Sequence, residues 1–67
     1  MKIFKNKITG EELGFVRFVF FILDEAERQF EDNNDELWCN LTKLEQVECA
    51  CEQWEHQLGT NWEEIEN

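Results

Sequence analysis

Apolar residues recur at the three- and four-residue spacing of a helix through two long stretches of this chain, about 10–32 and 43–58. Helix-start punctuation of the form Thr-x-x-Glu occurs three times, at Thr9 to Glu12, Thr42 to Glu45 and Thr60 to Glu63. In such a capping box the hydroxyl accepts from the N–H of the fourth residue while its carboxylate accepts from the N–H of the first, so each marks a helix N-terminus. Gly59 stands just beyond Leu58, where a left-handed residue ends a helix. The pattern predicts helices over about 10–32, 43–58 and 61–66 behind an extended segment over 2–8. The expected fold is mostly α, a single domain over 1–67 with two main helices and a short C-terminal one.

At 100° per residue, Leu44, Val47, Ala50, Cys51, Trp54 and Leu58 fall within an arc of about 120°, which reads as the buried face of the second helix. The first helix has a wider apolar arc of Phe15, Val16, Val19, Phe20, Ile22, Leu23, Ala26 and Phe30. Phe18 and Phe21 fall outside it, among Arg17, Asp24, Glu25 and Arg28. Two arrangements accommodate them. In one, Phe15–Leu23 is a strand buried on both faces and paired with the N-terminal segment, giving an α+β fold with an N-terminal β-hairpin. In the other, which we take as primary, the helix stands and Phe18 and Phe21 lie under the N-terminal segment or in an interface, most simply a symmetric homodimer.

Composition narrows the class. A chain of 67 residues with 42% hydrophobic residues, six Phe and three Trp is too apolar for a disordered tail and is expected to build one core. The net charge is −10, and it is unevenly placed: residues 24–67 carry fourteen acids against Arg28 and Lys43 alone. Such a field repels nucleic acid and anionic membrane and attracts basic surfaces. Cys39, Cys49 and Cys51 are an odd number without framework spacing, which points to a reducing, cytoplasmic setting. The apolar run Leu13–Leu23 is too short to cross a bilayer, and Arg17 within it and Asp24-Glu25 behind it argue against a signal peptide.

Catalytic chemistry is poorly supplied. There is no Ser, no Tyr, one His and no glycine-rich phosphate loop, so no enzyme and no cofactor are expected. Cys49 and Cys51 would point about 200° apart on a helix and cannot grip one metal ion. Asp32-Asn33-Asn34-Asp35-Glu36 has the look of a calcium loop, but Leu37 stands at the glycine position and Lys43 at the final acid.

The stronger signal is the carboxylate spacing. Glu45, Glu48, Glu52 and Glu55 lie within about 80° on the second helix, and Asp24, Glu27 and Glu31 within about 60° on the first, continued by Asp32, Asp35 and Glu36. Acids crowd the C-terminal half of the first helix, where the macrodipole disfavours them, so local stability does not ask for them. A solvated, solubilising face accounts for the same residues. The functional alternative is that carboxylates recurring about every 5 Å stand in for nucleic-acid phosphates and occupy the channel of a basic nucleic-acid-binding protein. Phe18, Phe21, Trp38 or Trp62 would then supply apolar anchors.

The acidity, the length and the opening Met1-Lys2-Ile3-Phe4-Lys5-Asn6-Lys7-Ile8-Thr9-Gly10-Glu11 resemble small phage-encoded early proteins, among which are anti-CRISPR and other anti-defence DNA mimics. The resemblance covers about a sixth of the chain, and what it implies is an inhibitory role in a bacterial host, against a CRISPR effector, a restriction enzyme or a polymerase. A second function class is a dimeric adaptor or regulator that recognises its partner through the apolar surface of the first helix.

Overall fold

A hairpin, two helices and a returning strand follow one another in the computed structural model, which describes residues 2–66. β1 (Lys2–Asn6) turns into β2 (Glu12–Gly14), α1 (Phe15–Asn34) and α2 (Lys43–Thr60) follow, and β3 (Trp62–Glu66) closes the chain. The sheet order is β2-β1-β3, with both pairings antiparallel. The architecture is therefore α+β with an N-terminal hairpin, as in the alternative, but β2 and not Phe15–Leu23 pairs with β1: Phe15–Leu23 is helix, and two long helices remain the bulk of the fold.

The hairpin explains why the first helix does not begin near residue 10. Asn6 Oδ1 accepts from the N–H groups of Ile8 and Thr9 at 2.8 and 3.0 Å, and the Gly10 N–H reaches the Asn6 carbonyl at 2.8 Å. Gly10 adopts φ +80°, a left-handed conformation that costs a glycine little. The Thr9 hydroxyl accepts from Glu11 N–H at 3.2 Å, within the turn, and is not free to cap a helix. α1 starts only at Phe15, behind Gly14, with no side-chain cap, no acid in its first turn and no base in its last. Its stability must come from packing.

α2 begins as expected. Thr42 and Glu45 form the reciprocal capping box, Glu45 N–H donating to Thr42 Oγ1 at 3.2 Å and Thr42 N–H to Glu45 Oε1 at 3.0 Å. It runs through Gly59 to Thr60, so Gly59 is not the terminating residue. The third expected helix is replaced by β3. The Thr60 hydroxyl donates back to the His56 carbonyl at 2.8 Å, and the segment beyond pairs with β1 in the register Phe4↔Glu64, Lys5↔Glu63 and Asn6↔Trp62. Backbone groups that a short helix would leave half unsatisfied find a full ladder there.

The core lies between the inner face of the sheet and the two helices. Phe4 and Phe18 are fully buried and stack with ring centroids 4.1 Å apart and 7° between planes. Trp54 meets both edge-on at 5.3 and 5.0 Å, and Trp62 meets Phe18 at 5.2 Å. Phe18, Ile22 and Ala26, spaced by four, are the buried spine of α1. Leu13, Phe21, Ala50 and Leu58 pack around this cluster. On the outer sheet face Lys5 stands between Glu12 and Glu63 in register, a favourable cross-strand charge arrangement.

Candidate partner-binding surface

The two aromatics that fell outside the apolar arc of α1 are the ones the fold uses. Phe18 is enclosed beneath β1, and Phe21 is half-buried against Phe18 and Trp62, 5.8 and 5.2 Å away. Neither Phe18 nor Trp62 can serve as an exposed anchor, because both lie in the core. Trp38 is half-buried against Phe30 at 6.0 Å.

The converse holds for the arc that hydrophobic periodicity marks as buried. Val16 is 64% exposed, Phe20 61%, Leu44 68% and Val47 56%, with Phe15, Leu23 and Cys51 also exposed. The sheet covers only one side of the helix layer. The apolar arcs of both helices turn past that side toward one another, leaving an open groove of about 630 Å³ lined mainly by Val19, Ile22, Leu23, Val47, Ala50 and Trp54. Its polar lining among the described residues is confined to Lys43, Gln46 and Glu55.

Of the carboxylates, Glu55 lines this groove, beside Lys43, while Glu52 lines a second, smaller hollow with Cys49 and Gln53; the others stand elsewhere on the two helices. On α2, Glu45, Glu48, Glu52 and Glu55 are all exposed, and no Lys or Arg among the described residues forms an ion pair with any of them. Glu48 follows Leu44, and Glu55 follows Cys51, by one helical turn. On α1, Asp24 follows Phe20 and Glu27 follows Leu23 in the same way, and both acids are exposed. The field of the row registers inside the fold: burial first, then Glu52, Glu48 and Glu45, push the Cys49 thiol above its ordinary value. Cys39 and Cys51 are exposed free thiols.

Other acids have structural work. Glu45 closes the capping box, and the Thr42 backbone N–H followed by its hydroxyl holds the Glu45 carboxyl below its ordinary value. Glu31 is half-buried and accepts from Trp38 N–H at 2.8 Å, fixing the connection between the helices. Arg28 pairs with Glu25 and, at 3.9 Å, with Asp32. Asp35 ends α1 in the left-handed region at φ 51°, and Glu36 follows it, exposed, in the connection. The acids left exposed and without structural partners among the described residues are therefore Asp24, Glu27, Glu48, Glu52 and Glu55, of which Glu55 lines the groove. The groove itself was missed because the wheel identifies an apolar face but not what covers it.

Among the described residues no three His, Cys, Asp or Glu side chains are placed to hold one metal ion, and no helix is long and apolar enough to cross a membrane. No family model, curated protein or solved structure matches the chain.

Proposed function

We propose that this chain acts by binding another protein, without catalysis, and that it inhibits a basic nucleic-acid-binding protein of a bacterial host by occupying its channel. The observation that supports this reading is the set of exposed carboxylates without ion-pair partners among the described residues, Asp24 and Glu27 on α1 and Glu48, Glu52 and Glu55 on α2, on the two helices that hold an uncovered apolar groove. Carboxylates take charge-assisted hydrogen bonds from Arg and Lys as phosphates do, and the groove adds the desolvated area that fixes a register. Association would be electrostatically steered and salt-sensitive. A CRISPR effector, a restriction enzyme or a polymerase offers such a channel.

The test is capture from bacterial lysate on the tagged chain, elution by salt and competition by duplex DNA. The reading expects a basic nucleic-acid enzyme that DNA displaces, and loss of capture when Glu48, Glu52 and Glu55 are changed together to Gln. Glu45 is left in place because it also caps α2. Normal capture by the triple variant at low salt would defeat the mimic. The exposed arc of Phe15, Val16, Phe20 and Leu23 favours a second reading, an adaptor or regulator, dimeric or not, that recognises its partner through the apolar surface of α1. Salt-resistant capture that DNA does not compete, abolished by Phe20→Asp, would select it.

A further inference from the structure

We propose that the groove between α1 and α2 receives an amphipathic helix of a partner protein, whose apolar stripe is bordered by Lys and Arg. This rests on the reading of the helix layer as a protein-binding surface and names the form of the partner, without requiring that partner to bind nucleic acid.

The first argument is shape. On α2 the lining runs from Lys43 to Glu55, a rise of about 18 Å or a little over three helical turns. Across it stand Val19, Ile22 and Leu23 of α1. An elongated apolar trough between two helices is the shape that takes side chains spaced i, i+3 or i+4 and i+7 along a third helix. Trp54 forms part of the lining while its ring edges hold Phe4 and Phe18, so the site sits on the rigid core. The groove has few convergent polar groups to orient a small polar ligand.

The second argument is charge. Glu55 lines the groove beside Lys43, and the two helices that form it carry nine acids against Arg17, Arg28 and Lys43. A helix lying in the groove would rest on this net-negative layer, which attracts Lys or Arg at the edges of its apolar stripe, with Glu55 at hand to pair with one of them. A second copy of this chain would instead bring one net-negative helix layer against another, and like-charge juxtaposition across an interface is costly. Anionic lipid and nucleic acid meet the same repulsion. The charge thus selects a basic-flanked helix from the occupants that an apolar groove alone would admit.

The probe is a fluorescein-labelled peptide of about 18 residues, with Leu and Phe at i, i+3, i+4 and i+7 spacing and Lys or Arg at the stripe's edges, titrated with the full chain and followed by polarisation. A peptide of identical composition in scrambled order is the control. Binding about tenfold or more tighter than the scramble is expected, weakened by salt and reduced about tenfold or more by Val47→Asp and by Leu44→Asp. Both positions are more than half exposed, so their urea midpoints should match the parent and separate loss of binding from loss of fold. Equal binding of the scramble would reduce the attraction to bulk charge and overturn the groove while leaving the carboxylate rows as a mimic intact. Unchanged binding by the Val47→Asp and Leu44→Asp variants would overturn it as well. So would sedimentation showing a dimer that Val47→Asp dissociates, because the occupant would then be a second copy.

Discussion

Changing Phe18 and Phe20 separately to Ala tests the assignment of faces on α1, because the two residues share a helix and a chemistry but differ in surroundings. Phe18 is fully buried, stacks on Phe4 at 4.1 Å and meets Trp54 and Trp62 edge-on at 5.0 and 5.2 Å. Truncating a buried Phe to Ala costs about 3–5 kcal/mol in lost transfer energy and cavity, and aromatic pairs add about 0.5–1.5 kcal/mol each beyond area. The loss at Phe18 belongs at the top of that range, near 5 kcal/mol. A chain of 67 residues has a total stability of roughly 3–10 kcal/mol, with small domains toward the low end, so Phe18→Ala should leave little or no folded protein. Phe20 is 61% exposed, and its replacement by a better helix former should change stability by no more than about 0.5 kcal/mol. The assay is urea unfolding read by circular dichroism and by tryptophan fluorescence, which Trp54 and Trp62 report from beside Phe18. With a slope near 1 kcal/mol per molar urea, the Phe18 variant should lose about 3 M or more in midpoint and the Phe20 variant almost none. A Phe20→Ala loss above about 1.5 kcal/mol together with a Phe18→Ala loss below about 1 kcal/mol would refute the packing argued here.

Thr42→Ala should cost about 1 kcal/mol in urea titrations, because the Glu45 N–H at the N-terminus of α2 loses its hydroxyl acceptor while the Thr42 backbone N–H still donates to Glu45, whereas Thr9→Ala should cost less than half of that. The Glu45 carboxyl is held below its ordinary value when folded, so its contribution is present above the unfolded carboxylate range and is lost as pH falls through the folded pKa. The stability difference between the parent and Glu45→Gln should therefore shrink on acidification and stay flat above the carboxylate range; a difference that grew toward low pH would contradict the sign. Iodoacetamide near pH 8 should alkylate Cys39 and Cys51 before Cys49, whose thiol burial and the neighbouring glutamates push up, and mass-mapped rates would expose the reverse order. Asp35→Gly should be neutral or slightly stabilising, while Asp35→Val should cost about 1–2 kcal/mol, since the position is left-handed and Cβ-branching is penalised there.

How much of this was legible in the sequence depended on whether a local rule had a tertiary competitor. The Thr42 capping box and the start of α2 were readable because nothing else claims those groups. The same four-residue signature at Thr9 and Thr60 misleads, since Asn6 and Gly10 build a turn around Thr9, and the free edge of β1 offers the segment after Thr60 a complete hydrogen-bond ladder. Hydrophobic periodicity marks the two main helices but only part of the buried side of α1: Ile22 and Ala26 of its arc are buried, whereas Phe15, Val16, Phe20 and Leu23 are exposed. Eight apolar residues on a broad arc outweigh Phe18 and Phe21 in any sum, yet the position of the sheet decides which side is covered, and Phe18 joins Ile22 in one cluster with Phe4 and Trp62 of the strands. The acids could be counted from the sequence. That Glu31 and Glu45 are tied to backbone groups, while Glu55 lines a groove, needed the fold.

The placement of charge and exposed apolar surface argues that the two features act together. An uncovered groove of Val, Leu and Trp side chains on so small a chain invites self-association, because hydrophobic contact is not selective. The net negative charge of the two helices makes the approach of a second acidic copy unfavourable while leaving the groove accessible to a basic partner. Neutralising the acids should therefore have two consequences at once: weaker binding to a basic helix and stronger binding between copies. The Glu48, Glu52 and Glu55 triple Gln variant measures both, by peptide polarisation and by sedimentation across a concentration series at low salt. If it stays monomeric at concentrations where the parent is monomeric, and still binds the basic peptide with parental affinity, the carboxylates of α2 select no partner and serve only to keep the surface hydrated.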